Sequence, residues 1–221
     1  MAGCASQARP RSTDTFPDVF KAIEPSIVLI TMRAPPDDAP KSKQLVDGYG
    51  SGFVVSSGDW GSDILTAYHV IDGGQRLHAT YGNHHKVTVS VVAVDKQDDL
   101  ALLRIAVRVP ALRLGHSAIA EPGEAVGVAG FPIPDAFQDE GLGITTSVKA
   151  GRISSIRKDA IELDLSIIPG ESGGPIFDAQ TGDVIGIAES RFDEERAIGF
   201  ATPVDVARRF LATSGVIGFT K

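Results

Sequence analysis

Glycine and proline interrupt this chain too often for long helices: 24 and 13 of them are spread through 221 residues, and the apolar runs between them are short. Short runs rich in Val, Ile and Thr, bounded by turn residues, read as strands. The first set covers residues 26–32, 52–56, 63–67, 75–81, 86–94 and 100–107, with Gly82-Asn83-His84-His85 as a hairpin turn. A second set follows the stretch 110–122 and covers 125–130, 145–156, 160–165, 174–178, 183–189 and 197–202. Asp14 or Thr15 can cap a short helix over 16–22 that ends near Pro25, and Val204, Ala207, Phe210 and Leu211 recur at helical spacing after Pro203. The pattern predicts an all-β protein of two small barrels with a short helix at each end. The expected division is a disordered tail over 1–15, an N-terminal barrel over 16–110, a C-terminal barrel with its helix over 111–213, and a tail over 214–221.

Composition removes several classes of function. The formal net charge is −7 and no long Lys/Arg run exists, so there is no electrostatic footprint for nucleic acid. No apolar stretch approaches the roughly 18–20 residues of a membrane-spanning helix. Cys4 is the one cysteine, which precludes an internal disulfide and leaves the fold to rest on its core. Met1-Ala2-Gly3-Cys4-Ala5-Ser6 looks like the end of a bacterial lipoprotein signal, without the charged and apolar segments that precede one. Two expectations follow: a lipid on Cys4 and a place in the cell envelope or periplasm, or an incidental cysteine in a loose tail, with the cytoplasm left open.

Chemistry concentrates in three places. Gly170-Glu171-Ser172-Gly173-Gly174-Pro175 is a tight turn between strand-like segments. A nucleophilic hydroxyl needs exposure, a base and donors for the developing oxyanion, and Gly170 allows its own N–H and that of Ser172 to face one concavity. A plain glycine-rich turn would look similar. For the base, five histidines compete. His69 ends the apolar strand Leu65-Thr66-Ala67, where a side chain can enter a cleft. His84 and His85 sit in a polar turn, His78 alternates with Leu77 and Ala79 on a strand, and His116 lies in the connection between the barrels. Two aspartates, Asp98 and Asp99, directly precede the apolar run Leu100-Ala101-Leu102-Leu103. An orienting acid should be buried, which favours Asp99; Asp98 points to the opposite face, and Asp95 reads as a turn residue. The order His69, Asp99, Ser172 is that of a chymotrypsin-like triad and differs from the subtilisin-like and α/β-hydrolase orders.

Gly50-Ser51-Gly52-Phe53-Val54, Thr66-Ala67-Tyr68-His69-Val70, Asp99-Leu100-Ala101-Leu102-Leu103, the Ser172 turn and Ile198-Gly199-Phe200-Ala201-Thr202-Pro203 resemble bacterial trypsin-like peptidases of the Deg/HtrA-like branch. The resemblance spans roughly residues 16–213. It implies two six-stranded antiparallel β-barrels with His69 and Asp99 on the first and Ser172 on the second. It also implies hydrolysis of peptide bonds through an acyl-enzyme, with the N–H groups of Gly170 and Ser172 as the oxyanion hole, and no cofactor. Residues 166–169, 188–190 and 198–200 would wall the pocket for the substrate side chain before the cut, with Ser166, Ala188, Glu189, Ser190 and Gly199 as the candidates. Ser166 takes the place of a trypsin-like acid, so a small or medium apolar side chain is expected there. Glu189 would bring a charge near that pocket. No peptide-binding PDZ module is expected within this chain, and no Ile-Val-Gly-Gly-like start suggests activation by a freed terminus. The role of Glu171, which stands where such a terminus would bind, is open. Residues 132–143 would form a mobile, activity-gating loop.

Other motifs are weaker. Gly48-Tyr49-Gly50-Ser51-Gly52 lacks the Gly-Lys-Ser/Thr ending and following helix of a phosphate loop. His78, His84 and His85 have no acidic or cysteine partner at ligand spacing, so no metal is expected. Residues 193–196 read as a solvated hairpin tip. The partners expected are protein or peptide substrates, with an oligomer left open. A non-catalytic binding protein on a protease fold and an esterase with the same triad are the rival functions. Activity is expected to rise between about pH 6 and 8 as His69 deprotonates.

Overall fold

The structure is a computed structural model that describes residues 15–36, 41–82, 85–189 and 198–216. A first sheet contains β1 (Ile27–Ala34), β2 (Val46–Gly58), β3 (Gly61–Ala67), β4 (Gln75–Tyr81), β5 (His85–Thr88), β6 (Ser90–Asp95) and β7 (Leu100–Ile105). These antiparallel strands run in the order β5-β4-β1-β2-β3-β7-β6. A second set, β8 (Ala125–Gly130), β9 (Ser147–Ile156), β10 (Ile161–Leu163), β11 (Pro175–Asp178), β12 (Val184–Glu189) and β13 (Gly199–Pro203), closes into an antiparallel barrel of order β10-β13-β12-β11-β8-β9. Three short α-helices, α1 (Phe16–Ile23), α2 (Pro134–Asp139) and α3 (Val204–Thr213), and three single turns of 3-10 helix complete the described chain. None is long and apolar enough to cross a membrane.

The all-β expectation holds, and the first sheet shows how it approaches a barrel. The strand expected over 86–94 is bent at Val89, whose N–H donates to the carbonyl of Leu77 at 3.1 Å. Before the bend β5 pairs with β4, and after it β6 pairs with β7. One stretch of chain therefore supplies both edges of the sheet, which can only happen if the sheet curls back on itself.

Period-two alternation explains why the strands are apolar on both faces. Val28, Ile30, Val54, Ile64, Ala101 and Leu103 face the interior of the first sheet. Their neighbours Ile27, Leu29, Phe53, Leu65, Leu100 and Leu102 face a second core shared with Phe177, Val184 and Ile187 of the barrel. A third cluster, with Val126, Val128, Ile161, Leu163 and Ile176, fills the barrel. The shared core fixes the two units face to face and so positions everything that lies along their junction. Both terminal helices reinforce it: Val19 and Ile23 of α1 and Val204, Ala207, Phe210 and Leu211 of α3 are buried there. Phe16 stacks on Phe177 with ring centroids 5.8 Å apart. At the start of α1, the N–H and hydroxyl of Thr15 both donate to the Asp18 carboxylate, at 3.2 and 2.6 Å. Asp14 and both expected tails beyond 15 and 216 lie outside the described residues.

Two polar ties are embedded in this apolar frame. Asp63 of β3 is 0% exposed and is held by Arg104 of β7 through Nε at 2.7 Å and a terminal nitrogen at 3.0 Å. The guanidinium also lies 4.8 Å over the Trp60 ring. Arg104→Ala leaves the Asp63 carboxylate buried without its counter-charge, and a loss of about 3–5 kcal/mol is expected in denaturant unfolding. Replacing both residues by apolar ones should recover much of that loss. The second tie is Asp205 in the first turn of α3. It accepts from the Ala118 N–H and the Ser117 hydroxyl, both at 2.9 Å, with His116 Nδ1 at 3.4 Å. Burial pushes its carboxyl up, but the Ala118 N–H, the Ser117 hydroxyl and His116 outweigh burial and bring it below the ordinary value of 3.8. A carboxyl lowered in the folded state stabilises above its unfolded pKa, and that contribution is lost as pH falls through the folded value. Asp205→Asn is therefore expected to melt below the wild type at pH 7, with the gap closing below about pH 4.

Candidate active site

β3 ends at Ala67 and passes into a single turn of 3-10 helix, Tyr68–Val70, that carries His69. This end of β3 meets the Ser172 turn, since a Cβ on Gly173 would lie 2.8 Å from the Ala67 nitrogen. β7, hydrogen-bonded beside β3, begins at Leu100, so Asp99 arrives opposite that turn. The contact is tight. The Tyr68 N–H donates to the Asp99 carbonyl at 3.0 Å, and the His69 N–H donates to Asp99 Oδ1 at 2.8 Å. The other carboxylate oxygen stands 2.6 Å from His69 Nδ1. Asp99 adopts φ +51°, a left-handed conformation costly for a residue with a side chain, and these contacts hold it there. Because a carboxylate accepts, the Nδ1 proton faces Asp99, and Nε2 is left with a lone pair on a ring that is 47% exposed. Asp98 makes no such contact with His69. Asp95 accepts from the N–H groups of Gln97 and Asp98 at 3.0 and 3.1 Å, the turn role read from the sequence.

The Ser172 turn comes from the barrel and is stitched to the first sheet. Gly170 and Gly173 have φ of +92° and +84°, and glycine is required at both. A Cβ on Gly170 would lie 2.2 Å from the Phe131 carbonyl oxygen, and one on Gly173 would lie 2.3 Å from both the Ser51 carbonyl oxygen and Thr66 Oγ1. Ser51 is the stitch: its N–H donates to the Ser172 carbonyl at 2.8 Å and its hydroxyl to the Gly170 carbonyl at 2.6 Å, while the Phe131 N–H donates to that hydroxyl at 2.9 Å. Thr66 in turn donates to the Ser51 carbonyl at 2.7 Å. On the other side, Gly173 N–H donates to the Ala188 carbonyl and Ala188 N–H to the Gly174 carbonyl, at 2.9 and 2.8 Å.

The peptide between Pro169 and Gly170 is fixed by its carbonyl. The Pro169 carbonyl accepts from the Ile133 N–H at 2.8 Å. In a trans peptide the N–H points opposite the carbonyl, so the Gly170 N–H is turned away from Ile133. Among the described residues, nothing accepts from the N–H groups of Gly170 or Ser172. The stretch 132–143, expected as a mobile loop, folds α2 and packs its start against this turn.

The remaining histidines fall elsewhere. His116 also faces a carboxylate, but Ser117 donates to Asp205 rather than to His116, so the order of base and nucleophile is absent. His85 lies 5.6 Å from the Tyr81 ring, and His84 lies outside the described residues. His78 lines a cavity of about 890 Å³ between β1, β4 and the 131–146 segment, which is lined by none of His69, Asp99 and Ser172.

The expected specificity walls divide. Gly199 lies against residues 165–167: a Cβ there would meet the Leu165 carbonyl oxygen at 2.5 Å and Ile167 Cγ1 at 3.0 Å. Ile167 and Ala188 belong to the barrel's apolar cluster. Ser166 offers its carbonyl to Lys149 Nζ at 2.6 Å. Glu189 does not share the face of Ala188, because successive strand side chains alternate. It is buried on the opposite face, with Ile187, and accepts a hydrogen bond from the Thr202 hydroxyl. Ser190 and residues 193–196 lie outside the described residues. The sequence motifs contain Ser51 and Thr66 without giving either a role, and nothing in the sequence singles out Ile133 or Lys149.

Two face-to-face β units, one offering an Asp–His pair and the other a serine in a glycine turn, are the architecture of the double-barrel serine peptidases. The family model for the trypsin-like peptidase domain matches residues 50–187. The chain belongs to that family. It is 30% identical over 204 residues, 87% of its own length and 40% of the relative's, to a Halomonas elongata protein named "Probable periplasmic serine endoprotease DegP-like". It is 33% identical over 207 residues, 85% of its length and 44% of the relative's, to "Protease Do-like 1, chloroplastic" of Arabidopsis thaliana. The solved serine endoprotease from Yersinia pestis superposes with a TM-score of 0.72 at 26% identity, over 90% of this chain and 66% of that one. The chain thus spans under half the length of these curated relatives.

Proposed function

We infer that the chain is a serine endopeptidase that cleaves protein substrates through His69, Asp99 and Ser172. Residues 16–110 would contribute the base and its orienting acid, and residues 111–213 the nucleophile. His69 Nε2 takes the Ser172 proton as Oγ attacks the scissile carbonyl, and Asp99 stabilises the imidazolium that results. The N–H groups of Gly170 and Ser172 receive the oxyanion. His69 then protonates the leaving amine, and water, activated by the same imidazole, hydrolyses the acyl-enzyme. The observation that carries this reading is the two-point grip of Asp99 on the ring and backbone of His69, which supports the tautomer a general base needs.

The apolar Ile167 and Ala188, and serine rather than an acid at Ser166, support a preference for small or medium apolar side chains before the cut. The periplasmic name of the Halomonas relative supports a place in the cell envelope. Incubation with an unfolded protein such as casein, with products read by mass spectrometry, tests the reading. Internal cleavages after such side chains are expected. Casein bound but left intact would replace the enzyme by a binding protein, and intact casein beside a hydrolysed aryl ester would replace it by an esterase.

A further inference from the structure

Glu171 has no part in the proton transfers above, yet it is the most deeply placed charge beside the nucleophile, at 1% exposure. Its partner comes from across the barrel. Lys149, the third residue of β9 and 34% exposed along its side chain, donates from Nζ to Glu171 Oε2 at 2.6 Å. The same ammonium donates to the Ser166 carbonyl at 2.6 Å, and Glu171 Oε2 also accepts from the Ile168 N–H at 3.0 Å. One ion pair therefore ties the first residue of the segment 166–171, its third and its last to a strand that is itself locked in the barrel.

This segment ends at the peptide whose N–H would face the oxyanion. Its chain folds back on itself, with the Glu171 N–H on the Ile168 carbonyl at 3.1 Å. A carboxylate at this depth persists only with a counter-charge and hydrogen bonds, so loss of Lys149 would expel it or rearrange the segment around it. Ser172, next in the chain, and Gly170, just before, would move with it.

We propose that the Lys149–Glu171 pair is a built-in latch that holds residues 166–171 in the shape in which Gly170 and Ser172 donate to the oxyanion. Lys149 and Glu171 are positioning residues: neither touches the reacting atoms. The role rests on the endopeptidase reading above, and the pair does with two internal side chains what would otherwise need an external group to pair with Glu171.

The test compares wild type, Lys149→Met, Lys149→Arg and Glu171→Gln by peptide hydrolysis, by the rate of modification with a fluorophosphonate, and by hydrogen exchange over 166–171. Lys149→Met and Glu171→Gln are each expected to lower kcat and the modification rate about 100-fold with KM nearly unchanged, the scale of a lost oxyanion donor. Exchange over 166–171 should quicken while the barrel strands keep their protection, and Lys149→Arg should restore most of the rate. A wild-type kcat in both charge-neutral variants, a loss confined to KM, or no rescue by arginine overturns the latch. If one variant does not fold, the other decides. A wild type that is folded but neither hydrolyses nor labels refutes the endopeptidase reading instead, and exchange over 166–171 still reports on the latch.

Discussion

Asp99→Asn is expected to lower kcat by about 10⁴-fold while leaving the fold and KM close to wild type. The size of the effect follows from the two bonds that Asp99 makes. An asparagine in the same pose keeps an oxygen for the His69 N–H, which the carboxylate now accepts at 2.8 Å. Its other end becomes an NH₂ that faces Nδ1, where a carboxylate oxygen stands 2.6 Å away in the wild type. Two donors cannot share that position, so the ring proton moves to Nε2 and the lone pair needed by Ser172 is gone. The neutral amide also gives no stabilisation to imidazolium. Measured kcat and KM, with a melting curve as control, decide the matter. A loss under about 10-fold in a folded variant would mean that Asp99 positions the backbone of the Tyr68–Val70 turn and nothing more.

Ser172→Ala and His69→Ala are each expected to remove about 10⁶-fold of kcat, and the double variant should be no slower than either alone. The equality is the informative part. A base and a nucleophile act in one proton transfer, so once either is absent the other has nothing left to contribute. Independent contributions would instead multiply. Residual catalysis of about 10³–10⁴ over water is expected in all three, from the N–H groups of Gly170 and Ser172 and from substrate binding. A double variant far slower than both single ones would break the assignment of these residues to one unit.

What could be read from the sequence was whatever sits in a short contiguous stretch. The Gly170–Pro175 turn, the strand that delivers His69 and the aspartates before Leu100 each carry their own local signal. Their order along the chain then selects among known triads. The runs Ile27–Ile30 and Leu100–Leu103 were legible as strands, while their alternation between two cores emerged only from the fold. The features that escaped are those made by side chains far apart in sequence. Ser51 reaches Gly170 across 119 positions, and Lys149 reaches Glu171 across 22 from a strand where nothing marks that lysine among its neighbours. The bend at Val89 escaped because the run 86–94 has no glycine or proline, and only pairing with two different strands divides it. Glu189 is a simpler case. Its distance along the chain from Ala188 is one residue, but in a strand that puts the two side chains on opposite faces.

Ser172 as the activated nucleophile is the claim on which the rest depends, and one measurement reaches it directly. The folded protein is treated with a fluorophosphonate probe, digested, and the modified residue located by mass spectrometry. A single adduct on Ser172, absent in Ser172→Ala and strongly slowed in Asp99→Asn, is the result predicted. No adduct on the folded wild type, or an adduct that persists in Ser172→Ala, would contradict it.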